Sequence, residues 1–281
     1  MRHALSRYFP IFVLPTALAF LISFAVPFIM GIYLSFSEFT TVTDARFIGV
    51  QNYVSALTDS PDFLNALWFT VKFTVISVIS INVIAFFLAY LLTGKLRGTN
   101  AFRTVFFMPN LIGGIVLGYI WQIIINGVLG IFGVDITVSA SYGFVGLLIL
   151  MNWQMIGYMM IIYIAALQNV PHEMHEVASI DGASRWQTLR HVIIPLVMPA
   201  VTICTFLTLT NSFKLFDQNY ALTGGAPGKE SSMLALDIFR TFYGSVGNEG
   251  VGQAKAVLFF LIVAAIAFLQ MRLTTRFEKN D

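Results

Sequence analysis

QNVPHEMHEVASIDGASRWQTLRHVIIPLVMP, residues 168–199, is the one long polar stretch that separates two strongly apolar spans and still has the pattern of a helix. Asn169 is a candidate N-cap, and Pro171 suits a first helical turn because its missing N–H would have no partner there. Asp181 and Gly182 then end the predicted helix, since glycine readily adopts the left-handed conformation that follows a helix. We therefore expect a short helix between two apolar segments, at a position where a partner can dock.

The predicted helix has one apolar and one polar face, because residues three and four apart lie on the same side. Glu173 and Glu176 can face water, and both favour the positive end of the helix dipole. Ala178 and Gly182 are small enough to let the backbone of another protein come close. The apolar face holds Met174, Val177, Ala178 and Asp181, and the polar face also holds Ser179. This helix is either a docking surface or an ordinary amphipathic helix that lies on a membrane.

The composition is that of a protein that crosses a membrane several times. Of 281 residues, 57% are apolar and only 11% are charged, which is far from the composition of soluble domains. Six apolar stretches reach about the 20 residues that cross the hydrocarbon layer: residues 8–36, 67–92, 104–125, 144–167, 192–216 and 254–271. Pro15, Pro27, Pro195 and Pro199 are expected to mark kinks or helix ends. The sequence predicts an all-α membrane protein with six transmembrane helices, in a single domain over residues 1–281.

Charge and cysteine content exclude several classes of function. The formal net charge of +2 is too small to indicate a nucleic-acid partner. Cys204 is the single cysteine, so no disulfide can form within the chain. The basic N-terminus runs into an apolar stretch that continues to about residue 36 without a small-residue cleavage site, so we expect a retained anchor helix and not a signal peptide.

Lys and Arg residues are concentrated on one side of the predicted membrane helices. By the positive-inside rule this side is cytoplasmic. Both termini and the segment 169–194 are thus predicted to lie in the cytoplasm, where a cytoplasmic partner could reach the segment. The residues on this side are Arg2, Arg7, Lys95, Arg97, Arg103, Arg185, Arg190, Arg272, Arg276 and Lys279, whereas the loops of the other side hold Arg46, Lys229 and Arg240.

The string EVASIDGASRWQTLRHVIIP, residues 176–195, resembles the EAA signature of the inner-membrane permease subunits of binding-protein-dependent ABC importers. The signature positions are filled by Glu176, Ala178, Gly182, Val192, Ile194 and Pro195; Val177 replaces the first Ala, and Val192 and Ile194 replace Ile and Leu. In that family this segment is the coupling helix, which seats in a groove of the ATPase subunit. The resemblance implies ATPase contacts for Glu173, Glu176, Ala178, Asp181, Gly182 and Ala183.

Two further stretches resemble the same family. LTGGAPGKES, residues 222–231, is similar to the LTGGxP sequence of the branch that imports sugars, oligosaccharides, polyols and related phosphodiesters, with Ala226 where a third Gly is common. FIGVQNYVSAL, residues 47–57, also resembles the family. They fall in the predicted outer loops 217–253 and 37–66, which are long enough to fold as small caps that a soluble partner could contact.

The resemblance implies the type I ABC importer fold in the cytoplasmic (inner) membrane and a defined set of partners. These are a second permease subunit, two ATP-binding cassette subunits, an extracytoplasmic solute-binding protein, a carbohydrate substrate and membrane lipid. ATP and magnesium would bind to the ATPase subunits, so no cofactor is expected on this chain. In the implied mechanism the loaded binding protein docks on the outer loops, and the coupling helix transmits closure of the ATPases to the membrane helices.

Polar residues inside the spans are candidates for a substrate path, because they are costly in the membrane and usually face a bundle interior or a cavity. Amides and hydroxyls can bind sugar hydroxyls, and an aromatic ring can stack on a pyranose. Hydrogen bonds between helices use the same residue types, so both roles stay open. The fourth span offers Asn152, Trp153, Gln154 and Tyr158, and the fifth offers Thr208, Asn211, Ser212, Leu215 and Gln218 or Asn219.

Resemblance to the maltose-type members, whose sugar contacts these two helices, implies contacts for some of these residues. Trp153 and Tyr158 match the aromatic positions, and Asn211, Ser212 and Leu215 occupy the fifth-helix positions with different residue types. Nearby, Lys214 and Asp217 are three residues apart, and we expect them to form a structural ion pair, with a substrate contact as the alternative. Asn82, Gln122 and Asn126 are expected to join helices, with a place on the substrate path as the alternative.

Enzyme motifs are absent from the sequence, and we predict that the chain is not an enzyme. TGGAPGKES lacks a P-loop because Thr223 replaces its first Gly and Glu230 its magnesium-binding hydroxyl. His172 and His175 are three apart, whereas a zinc-protease helix requires four, and no G-x-S-x-G sequence occurs. The alternatives are an ion-coupled secondary transporter and a membrane-embedded enzyme, although no mid-membrane ionisable residue or inverted repeat stands out. A voltage-gated channel would need an Arg ladder, which no span has.

Overall fold

The computed structural model describes residues 2–59, 61–94, 98–244 and 246–278, so Lys95, Arg97 and Lys279 of the positive-inside argument lie outside the described residues. The described chain is helical apart from one hairpin of two short strands, Ser37–Glu38 and Arg46–Phe47. The α-helices are α1 Arg2–Phe20, α2 Val26–Ser35, α3 Gln51–Thr58, α4 Pro61–Leu92, α5 Thr99–Phe107, α6 Gly114–Leu129, α7 Ala140–Gln168, α8 His172–Ile180, α9 Arg185–Thr188, α10 Ile194–Leu196, α11 Met198–Phe213, α12 Asp217–Leu222, α13 Leu234–Gly244 and α14 Glu249–Glu278.

The described residues contain five or six candidate membrane spans, in agreement with the predicted fold class. Five described segments are long and apolar enough to cross a membrane: Ile11–Ser35, Asp62–Leu92, Gly114–Phe132, Ala140–Gln168 and Glu249–Arg272. A sixth span results when the bent pair Arg185–Leu196 and Met198–Phe213 is counted as one. The first span is continuous because a π-helical turn, Leu21–Ala25, joins α1 to α2.

The third span differs from the prediction of one helix over 104–125. Helix α5 ends at Phe107, a 3-10 turn follows at Met108–Leu111, and α6 begins at Gly114. Pro109 disfavours the helical conformation at the preceding residue, and glycine has a low helix propensity. The membrane-crossing helix is therefore displaced toward the C-terminus, and the break before it becomes part of the functional site.

The fifth span, predicted as one helix over 192–216, is bent by 70° between Leu196 and Met198. Pro195 and Pro199 flank the bend, which confirms that these prolines mark a kink. The helix ends at Phe213 and not at residue 216. The short helices before the bend therefore run in a different direction from α11. Helix α11, after the bend, carries most of the predicted substrate-path residues of the fifth span.

The chain groups into two compact units, and we describe each by itself. The first consists of residues 1–63 and 238–261, and the second of residues 64–237 and 262–281. The single permease domain over residues 1–281 stays a prediction.

The first unit holds the hairpin and α3 together through Asn52. Its buried amide donates to the carbonyl oxygens of Ser35 at 3.0 Å and Ser37 at 2.8 Å. Asp44 closes the hairpin loop because the Thr40 hydroxyl and the N–H groups of Thr41 and Thr40 all donate to its carboxylate. These hydrogen bonds lower the pKa of Asp44 below its usual value of 3.8. The resulting stabilisation is present above the unfolded-state pKa and is lost as pH falls through the lowered value.

The second unit has an apolar core between α4, α7 and α11, and a polar link through Asn82 crosses it. The Tyr163 hydroxyl donates to the Asn82 oxygen at 2.7 Å, and the Asn82 amide lies 3.3 Å from the Thr208 hydroxyl. The sequence prediction that Asn82 joins helices is confirmed, since these three residues lie on α7, α4 and α11. Neighbouring core residues include Phe73, Ile81, Leu147, Leu150, Met159 and Cys204.

Replacing Asn82 by Leu is expected to destabilise the chain by about 1 to 2 kcal/mol, because the buried Tyr163 hydroxyl loses its acceptor. The midpoint of thermal unfolding in detergent measures this. Asn152→Leu is the matched control: its Nδ2 bonds only within α7, to the Leu148 carbonyl, and its Oδ1 is buried without a hydrogen bond. The control should be neutral or stabilising, and an equal loss in both variants would contradict the role of Asn82.

Candidate functional site

The coupling segment begins with α8, which differs from the predicted helix at its first turn. Helix α8 starts at His172, and Pro171 occupies the N-cap position without a side-chain cap. Asn169, the predicted N-cap, instead follows the last residue of α7. The reason is that α7 continues to Gln168, so the chain needs Asn169 and Val170 to turn before a new helix can start.

The end of α8 is a tight turn that depends on Gly182. Gly182 has a φ of +72°, its N–H donates to the Ser179 carbonyl at 3.2 Å, and the Ala183 N–H donates to the Ala178 carbonyl at 2.9 Å. These two bonds form a Schellman motif, which satisfies the last carbonyls of the helix. The prediction that the helix stops at residues 181–182 is confirmed.

The next helix starts at once because Ser184 caps it. The Gln187 N–H donates to the Ser184 hydroxyl at 3.3 Å, and the Ser184 N–H donates to the Gln187 side chain at 2.8 Å. This is a capping box. Sequence reasoning missed it, although the S-x-x-Q spacing was the signal. The two caps fix a sharp elbow over residues 181–184 between α8 and α9.

The outer surface of this elbow is apolar and exposed. Ile180 is 84% exposed and Trp186 is 65% exposed, and Met174 and Val177 are also exposed at helical spacing. Ala178 is buried against the rest of the second unit. We call Met174, Val177, Ile180 and Trp186 the elbow patch. Sequence reasoning did not single out Ile180 or Trp186.

The other predicted coupling residues also lie on this segment. Glu173 and Glu176 are exposed, and Glu176 lies 3.2 Å from the His172 ring. Asp181 and Gly182 are exposed at the elbow, and Ala183 is half-buried. Their contact with an ATPase stays a prediction.

A cavity of about 270 Å³ lies at the other functional region, where α7, α11 and α12 meet the break before α6. Most of its lining side chains are polar. They are Asn110, Gln154, Asn211, Lys214, Asp217 and Gln218, together with Met151, Met155, Leu215 and Phe216. Within the part of the chain that the structure describes, no group of three or more His, Cys, Asp or Glu residues could hold a metal ion. The cavity therefore offers amides, one ammonium and one carboxylate to a ligand.

Three of the predicted substrate-path residues line this cavity: Gln154, Asn211 and Leu215. Thr208 and Ser212 are fully buried in α11 and do not line it. Trp153 instead packs edge-on against Trp121, and Tyr158 packs against the apolar core. The substrate-path roles stay predictions. The structure also places Lys214, Asp217 and Gln218 at the cavity, and it adds Asn110, which sequence reasoning did not single out.

The predicted ion pair between Lys214 and Asp217 is wrong. Lys214 and Asp217 are both described residues, and no ion pair joins their side chains, although both line the cavity. Lys214 ends α11 and Asp217 begins α12, so a break between helices replaces the expected helical spacing. Both charges are thus available to the cavity.

Helix α12 is fixed on one face of α6. A Cβ atom added to Gly114 would lie 2.7 Å from the Asp217 Cβ, and one added to Gly118 would lie 2.6 Å from the Ala221 Cβ. One turn further on, the Gln122 amide donates to the Leu222 carbonyl at 2.9 Å. The spacing is a G-x-x-x-G motif followed by an amide, which sequence reasoning missed. The prediction that Gln122 joins helices is confirmed.

Asn126 was also predicted to join helices, but it instead fastens a loop to α6, because its side-chain oxygen accepts from the Ile136 N–H at 2.9 Å. Hydrogen bonds from a buried side chain of α12 also hold the loop that follows this helix. The buried Asn219 amide donates to the Ser231 carbonyl at 2.8 Å, and its oxygen accepts from the Met233 N–H at 2.8 Å. The LTGGAP stretch is therefore a rigid turn attached to α12.

Comparison with known proteins decides the family. Residues 95–280 match the family described as the binding-protein-dependent transport system inner membrane component. This chain belongs to that family. The permease is thus an inner-membrane component with several membrane-spanning helices. It is a transporter subunit and not an enzyme.

Related proteins and a solved structure match this chain over nearly its full length. A probable starch degradation products transport system permease of Thermoanaerobacterium thermosulfurigenes is 44% identical, covering 95% of this chain and 94% of that protein. A trehalose/maltose transport system permease of Thermococcus litoralis is 25% identical, covering 95% and 93%. A bacterial ABC transporter that imports the polysaccharide alginate matches with a TM-score of 0.83 at 18% identity, covering 98% of both chains. The permease therefore has the predicted type I ABC importer fold.

Proposed function

We propose that this permease carries an oligosaccharide, such as a product of starch degradation, across the cytoplasmic membrane, with energy from ATP hydrolysed on two separate ATPase subunits. The 44% identity to a permease named for starch degradation products supports the substrate class. The observation that carries the mechanism is the elbow patch. It is an exposed apolar surface on a tightly capped elbow, and such surfaces are typical of protein interfaces.

The proposed assembly contains a second permease subunit and an extracytoplasmic binding protein. Dependence on a binding protein follows from the family, and a solved alginate transporter of the same fold was crystallised with its oligosaccharide-bound periplasmic protein. We place both termini and the elbow patch in the cytoplasm, where the excess of Lys and Arg supports that orientation. ATP and magnesium then bind to the ATPase subunits, and the permease itself holds no cofactor.

The cavity is the proposed path of the sugar through this chain. Its amides can donate to and accept from hydroxyl groups, and its Met151, Met155, Leu215 and Phe216 side chains provide apolar contact for C–H faces. Closure of the ATPases would move the elbow and, through α7 and α11, change access to the cavity. Such coupling requires that the elbow makes different contacts in the two states.

The decisive experiment reconstitutes the permease with a second permease subunit, two ATPase subunits and a binding protein, and it measures uptake of maltotriose into proteoliposomes. Uptake that requires internal ATP and the binding protein is expected. Uptake driven by an ion gradient without ATP would contradict the proposal and favour a secondary transporter. A non-hydrolysable ATP analogue controls for binding of ATP without hydrolysis.

A further inference from the structure

Two glutamines from different helices meet at the wall of the cavity. The Gln218 amide, on α12, donates to the Gln154 side-chain oxygen, on α7, at 2.7 Å. The Gln154 amide in turn points to the carbonyl oxygen of Ile112, in the break before α6, at 3.4 Å. Gln154 is only 8% exposed. The pair thus links α7, α12 and the break before α6 at the place where these elements enclose the proposed sugar path.

The pair has hydrogen-bonding capacity left for a ligand. A glutamine side chain has two N–H donors and an oxygen that accepts two hydrogen bonds. Gln218 uses one N–H in the pair, and its oxygen accepts from no described residue; Gln154 has one free acceptor position. The glutamine pair therefore offers donors and acceptors side by side, and the pair itself carries no charge.

This combination matches a hydroxyl group and not a carboxylate. A hydroxyl both donates and accepts, so it can bond to an amide N–H and an amide oxygen together. A carboxylate only accepts, so an amide oxygen facing it would be repelled. Lys214 and Asp217 line the same cavity with opposite charges, so they add no net charge that would favour an acid.

The position of the Gln218 side chain is fixed by its contact with α6. A Cβ atom on Gly114 would lie 3.0 Å from its Cδ and 3.1 Å from its Nε2, so the side chain already contacts the α6 backbone. With Gly118 and Gln122 holding the rest of α12, Gln218 cannot withdraw from the cavity. A group held in this way binds at a lower entropic cost than a mobile one.

We propose that the Gln154–Gln218 amide pair recognises an uncharged, hydroxyl-bearing unit of the transported sugar and discriminates against acidic sugars. This inference rests on the proposed function, because it assumes that the cavity is the sugar path. On binding, adjacent hydroxyls of one sugar unit use the free donors and acceptors of the pair, and they can replace its 2.7 Å bond. Gln218 is then a specificity-determining residue that no sequence motif marks.

The test uses the complete importer in proteoliposomes and two substrates, maltotriose and its analogue with one hydroxymethyl group oxidised to a carboxylate. Gln218→Met and Gln154→Met keep side-chain length but remove the amide. Each is expected to raise the KM for maltotriose about tenfold and to change the KM of the acidic analogue less. The ratio of the two KM values should therefore shrink. If one variant does not assemble, the other decides the outcome.

Gln253→Met is the matched control, because Gln253 lies in the first unit and does not line the cavity. It should leave both KM values unchanged. A lower kcat with an unchanged KM ratio in both cavity variants would overturn the inference, since it would indicate a purely structural role for the pair. Failure of the wild-type importer to take up maltotriose with ATP would instead overturn the proposed function, and the inference with it.

Discussion

Gly157→Ala is expected to abolish folding of the permease, although it adds a single methyl group. Gly157 lies on α7 where the helix crosses α5, and a Cβ there would overlap the carbonyl group of Phe106 and lie 2.8 Å from the Phe107 nitrogen. The obstacle is backbone inside a helix, so it cannot rotate away as a side chain can. Overpacking of this kind typically costs about 1 to 3 kcal/mol and more where the backbone must move. The yield of monodisperse protein in detergent and its thermal midpoint measure the effect.

Gly127→Ala is the matched control for this prediction. Gly127 lies inside α6, and a Cβ there would meet no atom within 4 Å. Because alanine is a better helix former by about 1 kcal/mol, this variant should be neutral or slightly more stable. Equal behaviour of the two variants would mean that α5 and α7 are not in such close contact.

Ile180→Glu is expected to eliminate ATP-driven transport while leaving the isolated permease folded. Ile180 is 84% exposed at the end of α8, so a charge there costs little in the free chain. In the proposed assembly the same charge would be buried unpaired in an apolar groove, which is strongly unfavourable. The ATPase subunits should therefore no longer copurify with the variant, and maltotriose uptake should fall at least about a hundredfold.

Val246→Glu serves as the control, because Val246 is equally exposed and lies in the loop after α13, far along the chain from the elbow. This variant should retain its ATPase subunits. Copurification of the ATPases with Ile180→Glu at the wild-type ratio, together with normal uptake, would refute the docking role of the elbow patch.

The sequence predicted the fold class and the end of α8 because each depends on local or compositional signals. Apolar stretches of sufficient length predict membrane helices wherever they pack. Gly182 could be placed at the end of α8 because few other residues adopt a positive φ. The prolines likewise located the bend before α11, although its size of 70° was not predictable from them.

The candidate cavity was predictable only in part. Asn211 and Gln154 were identified because polar residues in apolar spans are conspicuous, and Leu215 was identified by its position in the fifth span and by the family resemblance. Thr208 and Ser212 gave the same polar signal but are buried in the core. Asp217 and Gln218 begin α12 after a break from α11, and Asn110 lies in the 3-10 turn before α6, so helical spacing along one span does not place them on a shared face. The expected pairing of Lys214 with Asp217 failed for that reason.

The sequence by itself determined that this is a polytopic membrane protein of the importer permease family with a short helix that ends at Gly182 between two spans, because hydropathy, helix stops and signature residues act over short distances. Only the tertiary structure decided which polar residues face a common cavity, that Gln154 meets Gln218 across 64 positions of the chain, and that Gly157 and Gly114 are needed for close packing. These depend on how helices cross, and the crossing is set by contacts between residues distant in sequence, which no local pattern encodes.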